Sequence, residues 1–132
     1  LTQLSVDTIK KLRPVMPETV NIENPLDLVG DATTQRYQVA LEKCLADKNV
    51  DGILLIALYQ TPLITTDIVE VISELHAETS KPIVVVSTGG EFTEILSQNL
   101  ENRGLPTFGF PEDAIKAVDK VVGYDLWRKR KN

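Results

Sequence analysis

The 132-residue sequence is poor in the side chains that most often carry chemistry, with one cysteine and one histidine. One cysteine excludes an internal disulfide, and with a single histidine it leaves no nitrogen-and-sulfur cage for zinc. A reducing compartment, the cytoplasm, is the expected location. The sequence has no G-x-x-x-x-G-K-[ST] phosphate loop, no G-x-G-x-x-G fingerprint and no G-x-S-x-G nucleophile elbow. The longest apolar run, Ile53 to Leu58, is far short of the ~20 residues of a membrane span. Aromatic residues make up 5%, and only Tyr59 falls at the edge where a flavin would need an aromatic wall. Fourteen basic residues against nineteen acidic ones give a net charge of −5, which argues against wrapping nucleic acid. The first residue is Leu1, so a piece of a longer polypeptide is expected.

Hydrophobic residues at 42% and charged residues at 25% suit a soluble domain. The length fits one domain, residues 1–132, with a core of its own. Ser5 caps an expected short helix that stops near Arg13, because Pro14 disfavours helical geometry in the residue before it. A short strand is expected at Thr19–Ile22. From Asn24 onward strands and helices alternate. Tyr37, Ala40, Leu41, Cys44 and Leu45 recur at helical spacing. Val50–Leu58 reads as a strand buried on both faces. A loop through Thr61–Asp67 enters a helix with Ile68, Val71, Ile72 and Leu75 inward. Pro82–Val86 is a second buried strand, followed by a helix carrying Phe92, Ile95, Leu96 and Leu100. Gly104 closes that helix, Leu105–Phe108 is a short strand, and Pro111-Glu112-Asp113 opens the last helix. This alternation specifies an α/β fold with a mostly parallel sheet of about four or five strands, helices on both faces.

In such a sheet ligands bind at the carboxyl edge of the strands, where the helices begin. Three junctions there are rich in glycine and threonine. Gly30-Asp31-Ala32-Thr33-Thr34 offers unpaired N–H groups and hydroxyls suited to phosphate, although Asp31 can itself cap the helix. Ser87-Thr88-Gly89-Gly90-Glu91 permits a nest of N–H groups at Gly89 and Gly90. The loop through Gln60, Thr61 and Pro62 is long for this position. Each junction is also readable as a plain capped turn. His76 lies mid-helix, away from that edge. Cys44 reads as an inert core thiol, and Arg128–Lys131 as a solvated helix end. No catalytic side chain and no metal ligand set is assigned.

Asn24-Pro25-Leu26-Asp27-Leu28-Val29-Gly30-Asp31-Ala32, then Tyr37, Ala40-Leu41 and Val50-Asp51-Gly52-Ile53-Leu54, resembles the NDP-forming acyl-CoA synthetases, the ADP-forming acetate–CoA ligases related to succinyl-CoA synthetase. Lys81–Val86 with Gly89-Gly90-Glu91, and Asn102-Arg103-Gly104-Leu105-Pro106 with Phe110-Pro111-Glu112, extend the resemblance over nearly the whole chain from Leu4. It implies a flavodoxin-like three-layer α/β/α CoA-ligase domain of the α part. It also implies a reaction in which acid, CoA and ATP or GTP give acyl-CoA, ADP or GDP, and phosphate through a phosphohistidine. That histidine would be held at helix N-termini, one of them the helix at Gly30–Thr33. Gln60-Thr61-Pro62 falls in the relative's substrate-side loop, with a proline that lacks an N–H. CoA, ATP/ADP or GTP/GDP and Mg would belong to the full enzyme. The partners implied are the phosphohistidine-bearing, CoA-binding and ATP-grasp domains, whose motifs this chain lacks, so the isolated chain is expected to be inactive. Two other readings are a non-catalytic regulatory domain of a synthetase-derived protein acetyltransferase and a free-standing small-anion-binding module.

Overall fold

The computed structural model describes residues 1–131. Helix α1 spans Val6–Leu12; the Ser5 hydroxyl accepts from the Thr8 N–H at 3.2 Å and caps it. Pro14 turns its end into a single 3₁₀ turn, Arg13–Val15. An irregular segment leads to helix α2, Thr34–Leu45. Strand β1, Ile53–Ile56, is followed by helix α3, Ile68–Ala77. Strand β2, Ile83–Val86, leads to helix α4, Glu91–Glu101. Strand β3, Thr107–Phe108, leads to helix α5, Pro111–Lys131.

The sheet has the order β1-β2-β3 and is parallel throughout, with Ile53 opposite Ile83 and Val85 opposite Thr107. Parallel neighbours require a crossover, and each crossover here is a helix. Leu41 of α2, Ile68 and Ile72 of α3, and Leu96 and Leu100 of α4 pack with Leu55, Ile83 and Val85 to form the main core on one face. A second core, Leu12, Met16, Val20, Ile22 and Ala40, joins the amino-terminal segment to α2. In α4 the buried line is Thr93, Leu96 and Leu100, while the expected Phe92 and Ile95 are exposed. A helix covered by the sheet along one flank buries a narrower stripe than its apolar content suggests.

Among the described residues the sheet has three strands, not four or five. At Thr19–Ile22 only a single antiparallel bridge forms, between Asn21 and Asp27. Side-chain oxygens compete with a ladder there: Asn21 Oδ1 accepts from Glu23 N–H at 3.2 Å and Asp27 Oδ1 from Val29 N–H at 2.9 Å. Val20 and Ile22 are buried all the same, against α1 and α2.

Two polar details lock the frame. Lys81 Nζ donates to the Leu45 and Asp47 carbonyls at 2.7 and 2.6 Å, closing the end of α2. Asp47 is almost wholly buried and accepts from the Ser5 and Asn49 N–H groups at 2.7 and 2.9 Å. Burial alone raises its pKa, but these bonds and the Ser5 and Thr8 hydroxyls outweigh it and bring the carboxyl from 3.8 to about 2. A carboxyl lowered on folding adds stability that is full above its unfolded pKa and fades as pH falls through its folded one. Asp47→Asn should therefore be less stable than the parent near neutral pH. The difference should shrink between about pH 4 and pH 2, as read by urea unfolding at each pH. Gly104 has φ +85°, and Leu105 N–H reaches back to the Leu100 carbonyl at 3.1 Å. Gly104→Ala should cost about 1 kcal/mol in the same assay.

Candidate functional site

The parallel sheet places the starts of α2, α3 and α4 along one edge, and short polar contacts join them. Thr34 Oγ1 accepts from the Thr65 N–H at 3.1 Å and lies 3.2 Å from Thr65 Oγ1, linking α2 to the loop before α3. Gln60, from that loop, reaches Gly89: a methyl at residue 89 would lie 2.6 Å from Gln60 Nε2 and 2.2 Å from Thr93 Oγ1. Ser87 Oγ donates to the Ala57 carbonyl at 2.5 Å, and Thr88 Oγ1 to the Gly109 carbonyl at 2.5 Å. Gly30–Thr34, Gln60–Pro62 and Gly89-Gly90 thus belong to one continuous edge.

At the first junction the helix starts later than the resemblance implies. Thr33, not Asp31, caps α2, and its hydroxyl accepts from Arg36 N–H at 3.1 Å. Gly30, Asp31 and Ala32 are loop residues. The Ala32 N–H donates to the Val29 carbonyl at 3.1 Å and is not free for an anion. Val29 has φ 67°, a left-handed conformation unusual for a β-branched residue. Asp31 pairs with Arg36 Nη1 at 2.6 Å, and the same nitrogen donates to the Leu28 carbonyl at 2.8 Å. The hydroxyls of Thr33 and Thr34 are therefore spent inside the protein. The Thr34 and Gln35 N–H groups of the first turn have no partner within the helix.

At the second junction Gly90 caps α4 with no side-chain bond, leaving the N–H groups of Glu91, Phe92 and Thr93 without helical partners. Thr93 is 2% exposed and its Oγ1 has no hydrogen-bond partner. A cleft of about 290 Å³ opens beside it between α4 and β3, bordered by Thr88, Gly89, Thr93, Ser97 and Phe110. Glu91 and Glu94 in the first turn bring negative charge to this mouth. At the third junction, Thr61 N–H and Ile64 N–H close turns onto Leu58 and Thr61 carbonyls at 3.4 and 3.2 Å. Asp67 caps α3 without a side-chain bond to the helix; its carboxylate accepts from the Thr65 hydroxyl instead. Gln60 and Pro62 are exposed.

Arg36 and Thr93 are the site residues missed in the sequence. An arginine in the first turn opposes the helix dipole, and that was the available signal for Arg36. Thr93 carried none, since its isolation depends on Gly89 lying against it. Tyr59 does not wall a ligand: its ring is in the main core, and burial, with Tyr37 nearby, holds the phenol protonated far above its ordinary range. Cys44 is half-buried, its thiol pushed up to about 11 by burial and by Asp47, as an inert thiol requires. His76 sits half-buried in the last turn of α3. Arg128 and Lys129 pair with Asp125 at 3.0 and 2.7 Å on α5. Among the described residues no group of three His, Cys, Asp or Glu side chains is placed to hold a metal, and no helix is long and apolar enough to cross a membrane.

No family model matches the chain. Among characterised proteins it is 33% identical over its full length to an acetate–CoA ligase (ADP-forming) of Methanocaldococcus jannaschii, covering 19% of that protein. It is 30% identical over 94% of its length to acetate–CoA ligase (ADP-forming) I of Archaeoglobus fulgidus, covering 17% of that protein. The characterised proteins similar to this chain include ADP-forming acetate–CoA ligases and a 4-hydroxybutyrate–CoA ligase (ADP-forming) of Nitrosopumilus maritimus. It spans 28% of the α subunit of the Pyrococcus furiosus ligase II, at 29% identity over 92% of its own length. A solved structure from Pyrococcus horikoshii matches 86% of the chain with TM-score 0.79 and 29% identity, over 27% of that protein's chain. The apo acetyl-coenzyme A synthetase 1 of Ca. Korarchaeum cryptofilum superposes on 98% of it with TM-score 0.88 at 23% identity, which establishes the shared α/β fold.

The edge depends on the Thr34–Thr65 link. Thr34→Val should cost about 1–2 kcal/mol in urea unfolding, because it strands the Thr65 N–H. Gly89→Ala should cost about 1–3 kcal/mol, because the added methyl has no room against Thr93 and Gln60.

Proposed function

We propose that this chain is one domain of an NDP-forming acyl-CoA synthetase, the enzyme that turns acid, CoA and ATP or GTP into acyl-CoA, ADP or GDP, and phosphate. Its share is electrostatic. A phosphohistidine supplied by another domain docks its phosphoryl group against the carboxyl edge of the sheet. The observation that carries this reading is the pair of helix starts, α2 and α4, on one sheet edge, α2 bonded to the loop before α3 through Thr34 and Thr65, and Gln60 of that loop lying beside Gly89 ahead of α4. N–H groups fixed before the phosphate arrives need no reorganisation and act in partly water-excluded surroundings.

The residues divide the work as follows. Thr34 and Gln35 N–H groups, entered through Gly30–Thr33, form one phosphate contact. Glu91, Phe92 and Thr93 N–H groups, opened by Gly89 and Gly90, form the second, with the unpaired Thr93 hydroxyl available to an oxygen. Arg36 is neutralised by Asp31 and fixes the loop before α2 through the Leu28 carbonyl, which makes it a positioning residue. The Gln60-Thr61-Pro62 loop, whose Gln60 lies beside Gly89, is assigned to the acid substrate. CoA, the nucleotide and magnesium are assigned to the CoA-binding and ATP-grasp domains of the assembly, and this chain alone turns nothing over.

Titration of the ¹⁵N-labelled chain with inorganic phosphate tests the contacts. Amides of Thr34, Gln35 and Glu91–Thr93 should shift and saturate, and Thr93→Val should weaken the α4 response by about three- to tenfold, roughly one hydrogen bond. Uniform small shifts, or none at either helix start, would overturn the assignment.

A further inference from the structure

The cleft between α4 and β3 lies where the connections of the sheet part. Helix α4 leaves β2 for the main-core face, where its Leu96 and Leu100 are buried. Helix α5 leaves β3 for the other face, where Val86 and Ala114 are buried. Neighbouring strands whose helices go to opposite faces leave a crevice beyond their carboxyl ends, and open α/β sheets bind ligands in such crevices. The loops on either side of this one, Ser87–Gly89 and Phe108–Phe110, border the cleft.

The walls of the cleft have one sign of charge. Glu94 and Glu101 both border it from α4, seven residues apart, which places them two turns and about 10 Å apart along one side of the helix. Ser97 lies between them. The Thr107 hydroxyl, across the cleft, donates to Glu101 Oε1 at 2.5 Å and holds that carboxylate in place. Among the described residues no basic side chain borders the cleft, and neither glutamate is in a salt bridge. Thr93 stands beside Glu94 with its buried Oγ1 unpartnered. A hydroxyl accepts as well as donates, so this oxygen is an acceptor for an N–H. Phe108 and Phe110 supply apolar surface on the opposite wall. An anion within the cleft meets two carboxylates. A metal ion finds no third ligand, since among the described residues no group of three His, Cys, Asp or Glu side chains is placed to hold one. The arrangement matches a long ligand with a cation toward each end and methylenes between.

We infer that the α4–β3 cleft binds a linear aliphatic polyammonium. One ammonium group donates to Glu94 and to the Thr93 hydroxyl, another donates to Glu101, and the methylene chain lies against Phe108 and Phe110. Charge-assisted bonds at both ends make the site selective for a ligand that carries two separated cations. The inference does not rest on the phosphate contacts, which use backbone N–H groups at the start of α4, and Thr93 Oγ1 can accept from an ammonium group while it donates to a phosphoryl oxygen.

Calorimetric titration of the full-length polypeptide with spermidine tests it, at about 0.15 M salt so that diffuse attraction between exposed charges is screened. Spermidine should bind, and Glu94→Gln and Glu101→Gln should each weaken the binding at least about fivefold. Both are conservative changes, and glutamine at 101 still accepts from Thr107. The double variant should remove the binding step, and n-butylammonium, with a single cation, should bind the parent at least about tenfold more weakly than spermidine does. A second double variant, Glu18→Gln with Glu23→Gln, removes the same charge from exposed positions far along the sequence and should bind spermidine as the parent does. No spermidine binding by the parent, an unchanged affinity in the Glu94 and Glu101 variants, or an equal loss in the Glu18 and Glu23 variant would each overturn the inference.

Discussion

The parallel ladder of β1, β2 and β3 is the constraint on which the rest depends. Parallel strands cannot be joined by tight turns, so each is followed by a helix that runs back across the sheet. That return sets every helix start at the same edge. Backbone N–H groups without helical partners therefore collect there before any side chain is chosen. The side chains then decide which of them stay available. Thr33 closes one N–H of α2, Ala32 turns its own inward, and Gly90 closes none at α4.

The polar contacts at that edge are short and local, and they do two jobs. Thr34 with Thr65, Ser87 with Ala57, and Thr88 with Gly109 tie neighbouring junctions together. They also remove these hydroxyls from the list of ligand groups. Threonine-rich junctions look like phosphate sites partly because threonine is good at such ties. What remains for an anion is backbone and one orphaned hydroxyl on Thr93.

The main frame was legible because its signals are collective. Val50–Leu58 and Pro82–Val86 were legible as strands, although β1 is shorter, Ile53–Ile56, and leaves Leu54 and Ile56 exposed where burial on both faces was expected; the helical repeats of Tyr37–Leu45 and Ile68–Leu75 required a sheet to pack on. Pro14 and Gly104 marked their boundaries through backbone geometry that no neighbour alters. Thr19–Ile22 misled because apolar content alone specifies burial, not pairing: Val20 and Ile22 are buried, but against α1 and α2. The helix start at Gly30 misled for a similar reason. Whether Asp31 caps or pairs is decided by Arg36, five residues on, and such a choice depends on rotamers that spacing does not encode. Gly89 was read as half of an N–H nest; that it must be glycine because Gln60 and Thr93 lie against it comes from packing.

The central claim is that the starts of α2 and α4 hold a phosphoryl group at one sheet edge. Crystals of the full-length polypeptide soaked in selenate would test it most directly, since selenium is located by its anomalous signal. The account predicts a peak whose oxygens lie about 3 Å from the N–H groups of Thr34 and Gln35, or of Glu91, Phe92 and Thr93. Selenate found only at other surfaces, with both helix starts empty, would contradict it.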